Sequence, residues 1–160
     1  MGMHELSAVL WRERELLEVL HYKLEVERML LANGAERWIG RATQEIEYVT
    51  GRLREIGLTR AVEADEVGAE LGLAGEPTLR EIVEATGDEV WRELLASHLA
   101  ALLRLTGAIT AIRDDNERML RAANRAVQES LAGLGTLPSG YDASGRAAEH
   151  PTPRLVDEEI

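Results

Sequence analysis

No proline interrupts the 46 residues from Glu89 to Leu134. Along that stretch apolar or near-apolar side chains recur at alternating spacings of three and four: Leu95, His98, Leu102, Leu105, Ile109, Ile112, Asn116, Met119 and Ala123. This alternation is a heptad seam, the mark of a helix that packs lengthwise against other helices. After Ala123 the seam slips by one residue and continues as Val127, Leu131 and Leu134. One helix can therefore run the whole length, roughly 69 Å at a rise of 1.5 Å per residue. Such a helix needs partners to cover its stripe, and any part left uncovered is the first place to seek function.

Composition agrees with helices. Aromatic residues make up only 4% of the chain, with no Phe, whereas Leu, Ala, Glu and Arg dominate. The predicted fold class is therefore all-α, an antiparallel helical bundle or coiled coil of three long helices. A length of 160 residues suits one domain with a real core. The absence of cysteine excludes disulfides, thiolate nucleophiles and cysteine-ligated metal sites. The formal net charge is −11, and it is spread: −2 over residues 1–34, −3 over 35–71, −3 over 72–88, zero over 89–134 and −3 over 135–160. No segment offers the basic face that nucleic-acid phosphates require, so no nucleic-acid partner is expected.

The start, Met1 to Leu6, has neither the layout of a signal peptide nor a Ser or Thr at position 6 for myristoylation, so a cytoplasmic location is expected. Leu94 to Ile112 comes nearest to a membrane span. It carries Arg104 near its middle, at a cost of about 2.5–3.5 kcal/mol for insertion, together with His98, Ser97, Thr106, Gly107 and Thr110. A core helix explains it better, and no membrane insertion is expected.

The other elements follow from period and punctuation. A first helix is predicted over about 3–32, with Leu6, Leu10, Glu13, Leu17, Leu20, Leu24, Glu27 and Leu31 on its seam, and Asn33-Gly34 stops it. A second is predicted over 35–71 with Ile39, Ala42, Ile46, Val49, Leu53 and Ile56, then a phase shift to Val62, Val67 and Leu71. So short a connection makes these two an antiparallel hairpin, and the glycine at 57 predicts a bend over Gly57–Thr59. Thr78 with Glu81 is a capping-box pattern opening a short helix over about 79–85. The long helix then occupies 89–134, completing one helical domain over 1–134. The Gly-, Pro- and acid-rich 135–160 is expected to be a flexible, disordered acidic tail. The second helix has length to cover all but about nine residues of the long one, at the same rise per residue, leaving approximately 126–134 without cover.

No chemistry-bearing constellation competes with this reading. Glu18 and His21 form a Glu-x-x-His pair, which in bundles ligates di-iron or di-manganese centres only with a second copy and further inward carboxylates; no second copy exists. A carboxylate-bridged metal bundle on that pair is the enzyme alternative. His98 reads as a satisfied or edge-exposed histidine and not a catalytic one, and His4 and His150 fall in stretches expected to fray. There is no His-Glu-x-x-His, Walker loop or Gly-x-Ser-x-Gly, so no enzyme activity and no cofactor are expected. Trp11, Trp38 and Trp91 are expected to pack near helix ends. Asn116 stands on the seam where a hydrocarbon belongs, either as a pin that fixes register or as the start of a polar binding surface. Arg113, Arg118, Arg121 and Arg125 suit the C-terminal half of a helix, and can also receive an acidic client segment.

Several stretches taken together resemble the FlgN-like flagellar export chaperones, particularly those of high-GC Gram-positive bacteria. They are Leu6-Ser-Ala-Val-Leu-Trp-Arg-Glu-Arg-Glu-Leu-Leu-Glu, Tyr22-Lys-Leu-Glu-Val-Glu-Arg, Trp38-Ile-Gly-Arg-Ala-Thr-Gln-Glu-Ile-Glu, Trp91-Arg-Glu-Leu-Leu, Asn116-Glu-Arg-Met-Leu and Tyr141-Asp-Ala-Ser-Gly. The resemblance implies a cytosolic chaperone that binds the C-terminal regions of hook-associated proteins and delivers them unassembled to the flagellar type III export apparatus. It implies client contacts in the C-terminal part: Asn116, Met119, Leu120, Ala123, Asn124, Val127, Leu131 and Leu134. The family pattern carries a larger apolar residue after Leu120, where this chain has Arg121-Ala-Ala-Asn124. A monomer or weak homodimer is expected. The alternative among binding proteins is a generic coiled-coil adaptor whose spare seam closes a homodimer.

Overall fold

The computed structural model describes residues 2–135. These form four helices and no strand: α1 (Gly2–Ala32), α2 (Glu36–Glu70), α3 (Leu79–Ala85) and α4 (Glu89–Gly135). The all-α expectation holds, with element ends within two residues of those predicted. The expected acidic tail lies outside the described residues. The chain divides into two compact units, Met1–Arg121 and Ala122–Ile160, so the boundary falls inside α4 and not at its end.

In the first unit, α1 ends where the sequence stops it. Gly34 adopts φ +63°, its N–H donates to the Leu31 carbonyl and that of Ala35 to Leu30, while Asn33 Nδ2 donates to Met29 O at 2.7 Å. The orphan carbonyls of the last turn are thereby satisfied, and the chain reverses into α2. Cross-links between the two helices run in opposite order, with Arg60 on Glu13, Glu45 on Lys23 and Thr43 on Glu27. The hairpin is antiparallel.

α2 runs unbroken through Gly57, which overturns the predicted bend. A mid-helix glycine costs about 1 kcal/mol. Burial of Ile56, Ala64 and Val67 on one face outweighs it. Val62, predicted on that face, is exposed instead, because the apolar set after the phase shift is Ala64 and Val67. Gly68 has a packing reason: a Cβ there would lie 2.4 Å from Cγ of Pro77, so the loop after α2 can fold back only over a glycine. α3 then opens on the expected capping box, Thr78 Oγ1 accepting from the Glu81 N–H and Glu81 Oε2 from the Thr78 N–H. The Thr78 N–H and then the Thr78 hydroxyl, both donating to the Glu81 carboxylate, hold it below its ordinary pKa. Asp88 Oδ1 caps α4 by accepting from the Trp91 N–H at 3.0 Å.

The core joins Leu6, Leu10, Leu17, Leu20 and Leu24 of α1 to Val49, Ala64 and Val67 of α2, Ile82 of α3, and Leu95, Leu102, Leu105, Ile109 and Ile112 of α4. Ser7 pairs with His98 and Leu24 with Asn116, so this part of α4 runs parallel to α1 and antiparallel to α2. Among the described residues α4 is the one helix long and apolar enough to cross a membrane, by length and composition. Its seam from Leu95 to Asn116 is buried in the bundle.

Candidate functional site

Two seam positions of α1 are carboxylates, and both are buried. Glu13 receives Arg60 Nη1 at 3.1 Å; burial pushes its pKa up, with Arg60 opposing. Glu27 accepts from Thr43 Oγ1 at 3.2 Å and from Asn116 Nδ2 at 2.9 Å, and the same Nδ2 donates to the Leu24 carbonyl. Asn116, expected among the client contacts, is therefore 2% exposed and turned into the bundle. Its amide orientation is fixed, because both neighbours of Nδ2 are acceptors.

His98, read from the sequence as either satisfied or edge-exposed, is fully buried. Arg14 Nη1 lies 3.4 Å from its Nδ1, and an arginine can only donate, so Nδ1 accepts and Nε2 carries the proton toward Ser7 Oγ, also at 3.4 Å. Burial, and then the Arg14 charge, depress its pKa. Trp11 packs edge-on against the ring at 4.9 Å, with Arg14 stacked over Trp11 at 4.3 Å. Trp11 thus closes over His98 in the body of α1, away from the helix ends where it was expected. His4 belongs to α1 and meets Trp91 edge-on at 4.7 Å, so the stretch expected to fray is tied down. Trp38 is exposed beneath Arg37. Glu18 is exposed and His21 pairs with Glu25 at 3.9 Å, so the Glu-x-x-His pair is not assembled as a ligand set.

The remaining predicted site residues divide by unit. In the first, Met119 and Leu120 are half-buried. In the second, every described residue, Ala122 to Gly135, is exposed. Exposure begins before the expected residue 126, already at Arg121, in a stretch whose residues 121–125 carry no large apolar side chain. On this segment Ala123, Val127, Leu131 and Leu134 share one helical face, with Asn124 at its edge; Val127 is 50%, Leu131 63% and Leu134 64% exposed. Arg118 and Arg121 are paired with Asp115 and Glu117 of their own helix.

The profile of the FlgN protein family matches residues 1–149. The chain belongs to the FlgN family. Members of the FlgN family are flagellar chaperones, not enzymes, and the helical bundle fits that class. No curated protein and no solved structure matches the chain. Sequence reasoning within the FlgN frame missed the cross-links that bury Glu13 and Glu27, and the cavity of about 450 Å³ beside Asn116, whose lining includes Arg54 and Arg113. Arg54 gave no signal, being one surface arginine among many.

Proposed function

We propose that this FlgN-family chain holds the C-terminal regions of hook-associated flagellar proteins in the cytoplasm, prevents their premature assembly, and delivers them to the type III export apparatus. The observation that carries the reading is the exposed stripe of Val127, Leu131 and Leu134 on α4. An amphipathic helix of the client lays its apolar face on that stripe, extended by Ala123 and Asn124, and is kept from pairing with its own neighbours. Asn116 contributes by positioning α4 against α1. No covalent step is involved, and release for export calls for moderate affinity.

The double variant Val127→Asp/Leu131→Asp tests the assignment. Both side chains are exposed, so helicity by circular dichroism should stay as in wild type, while capture of a hook-associated C-terminal segment in a pull-down should be lost. Unchanged capture would reject the stripe as the client site.

A further inference from the structure

We infer that the Met1–Arg121 unit carries a docking groove of its own, between α1, α2 and α4, for an apolar helical segment flanked by carboxylates. The groove encloses about 450 Å³. Its apolar lining is Leu20, Leu24, Ile46 and Leu120, the first two buried and the others half-buried. Arg54 and Arg113 line the same space, both exposed, and neither has an ion pair or hydrogen bond among the described residues. The two carboxylates of the groove are already engaged: Glu27 accepts from Asn116 and Thr43, and Glu117 is paired with Arg121. The charges left for a visitor are two guanidinium groups, in a chain whose formal net charge is −11.

Asn116 lines this cavity, its Nδ2 is held by Leu24 O and Glu27 Oε2, and its Oδ1 is buried without a donor. Turning the amide over would set Oδ1 against two acceptors, so no rearrangement within the side chain satisfies it. The flanking carboxylates of an occupant take the guanidiniums, which favour planar, paired hydrogen bonding to carboxylate. The volume suits a few side chains of a helix lying in the groove. This site differs in chemistry from the uncharged stripe of Ala123, Val127, Leu131 and Leu134, and does not depend on the client reading.

The probe is a capped helical peptide of about 14 residues, with leucines on one face and glutamates on the flanks, set beside a counterpart with lysines in place of the glutamates. Fluorescence anisotropy with the full chain should show binding of the glutamate peptide, weakened by salt, and little binding of the lysine peptide. Arg54→Glu/Arg113→Glu, at two exposed positions, should keep wild-type circular dichroism and weaken the glutamate peptide by about tenfold or more, with the lysine peptide now preferred. Val127→Asp/Leu131→Asp should leave this binding intact. The inference is overturned by equal binding of the two peptides, by no binding of the glutamate peptide, by indifference to the arginine reversal, or by loss of binding in the stripe variant.

Discussion

The two stretches of α4, Leu95–Asn116 and Arg121–Gly135, are written in nearly the same period yet meet opposite fates. In the first, Leu95, Leu102, Leu105, Ile109 and Ile112 are buried among leucines of α1. In the second, Val127, Leu131 and Leu134 stand in solvent. Periodicity states that a helix has a face to cover; it does not state by what. The covering is decided by side chains elsewhere, and where the described residues offer none, a partner becomes the physical expectation.

The strongest way to break this contrast is to delete the same side chain from each stretch. Leu102→Ala should cost about 2–5 kcal/mol in urea denaturation, since it removes packed methyl groups and leaves a cavity. A small cost would mean that the first stretch is no more committed to the bundle than the second. Next in size is the link that closes the buried stretch. Asn116→Ala removes one of the two donors of Glu27, leaving Thr43, and should lower stability by about 1–3 kcal/mol, and a neutral result would deny that the Asn116 contact matters.

A smaller effect should separate the stretches by pH. His98 has a folded pKa below its ordinary 6.5, so the unfolded chain binds protons more readily, and stability present above 6.5 is lost as pH falls through that value. Glu13 acts in the opposite sense. Its folded pKa lies above 4.5, so its protonation restores some stability nearer that value. The thermal midpoint should therefore fall between about pH 7 and about pH 5.5, and His98→Gln should flatten that slope. A slope unchanged in the variant would remove His98 as its source. Smallest of all is the mirror of the first test: Leu131→Ala should change stability by no more than about 0.5 kcal/mol, and a core-sized loss would show that this side chain is covered after all.

Much of the fold was legible because it rests on local signals. The Asn33-Gly34 stop, the Thr78/Glu81 capping box and the seams of α1 and α4 each act within a turn or two of helix. The bend predicted at Gly57 failed because a single-residue penalty was weighed without the tertiary burial of Ile56 and Val67 around it. The seam placed Glu13 and Glu27 inward, yet their partners, Arg60, Thr43 and Asn116, come from other helices, and sequence spacing carries no signal for such pairs. Asn116 shows the limit best. Its position allowed both a buried pin and an outward contact, and only the location of Glu27 decides that its amide faces in. The exposed stripe, by contrast, was visible as an apolar pattern with too little helix to cover it.

The buried carboxylates of α1 bear on how the chain avoids folding wrongly. A leucine-rich helix can slide along its neighbour by one heptad, about 10 Å, and find nearly equivalent packing. Such a slip of α4 would bring Ile109 to Glu27 in place of Asn116, and press the carboxylate against hydrocarbon with one of its two donors gone. Glu13 and its Arg60 guard the hairpin in the same manner. Two residues that add little as packing thus open an energy gap between the native arrangement and its shifted copies, so the bundle has one deep minimum where leucines alone would offer several.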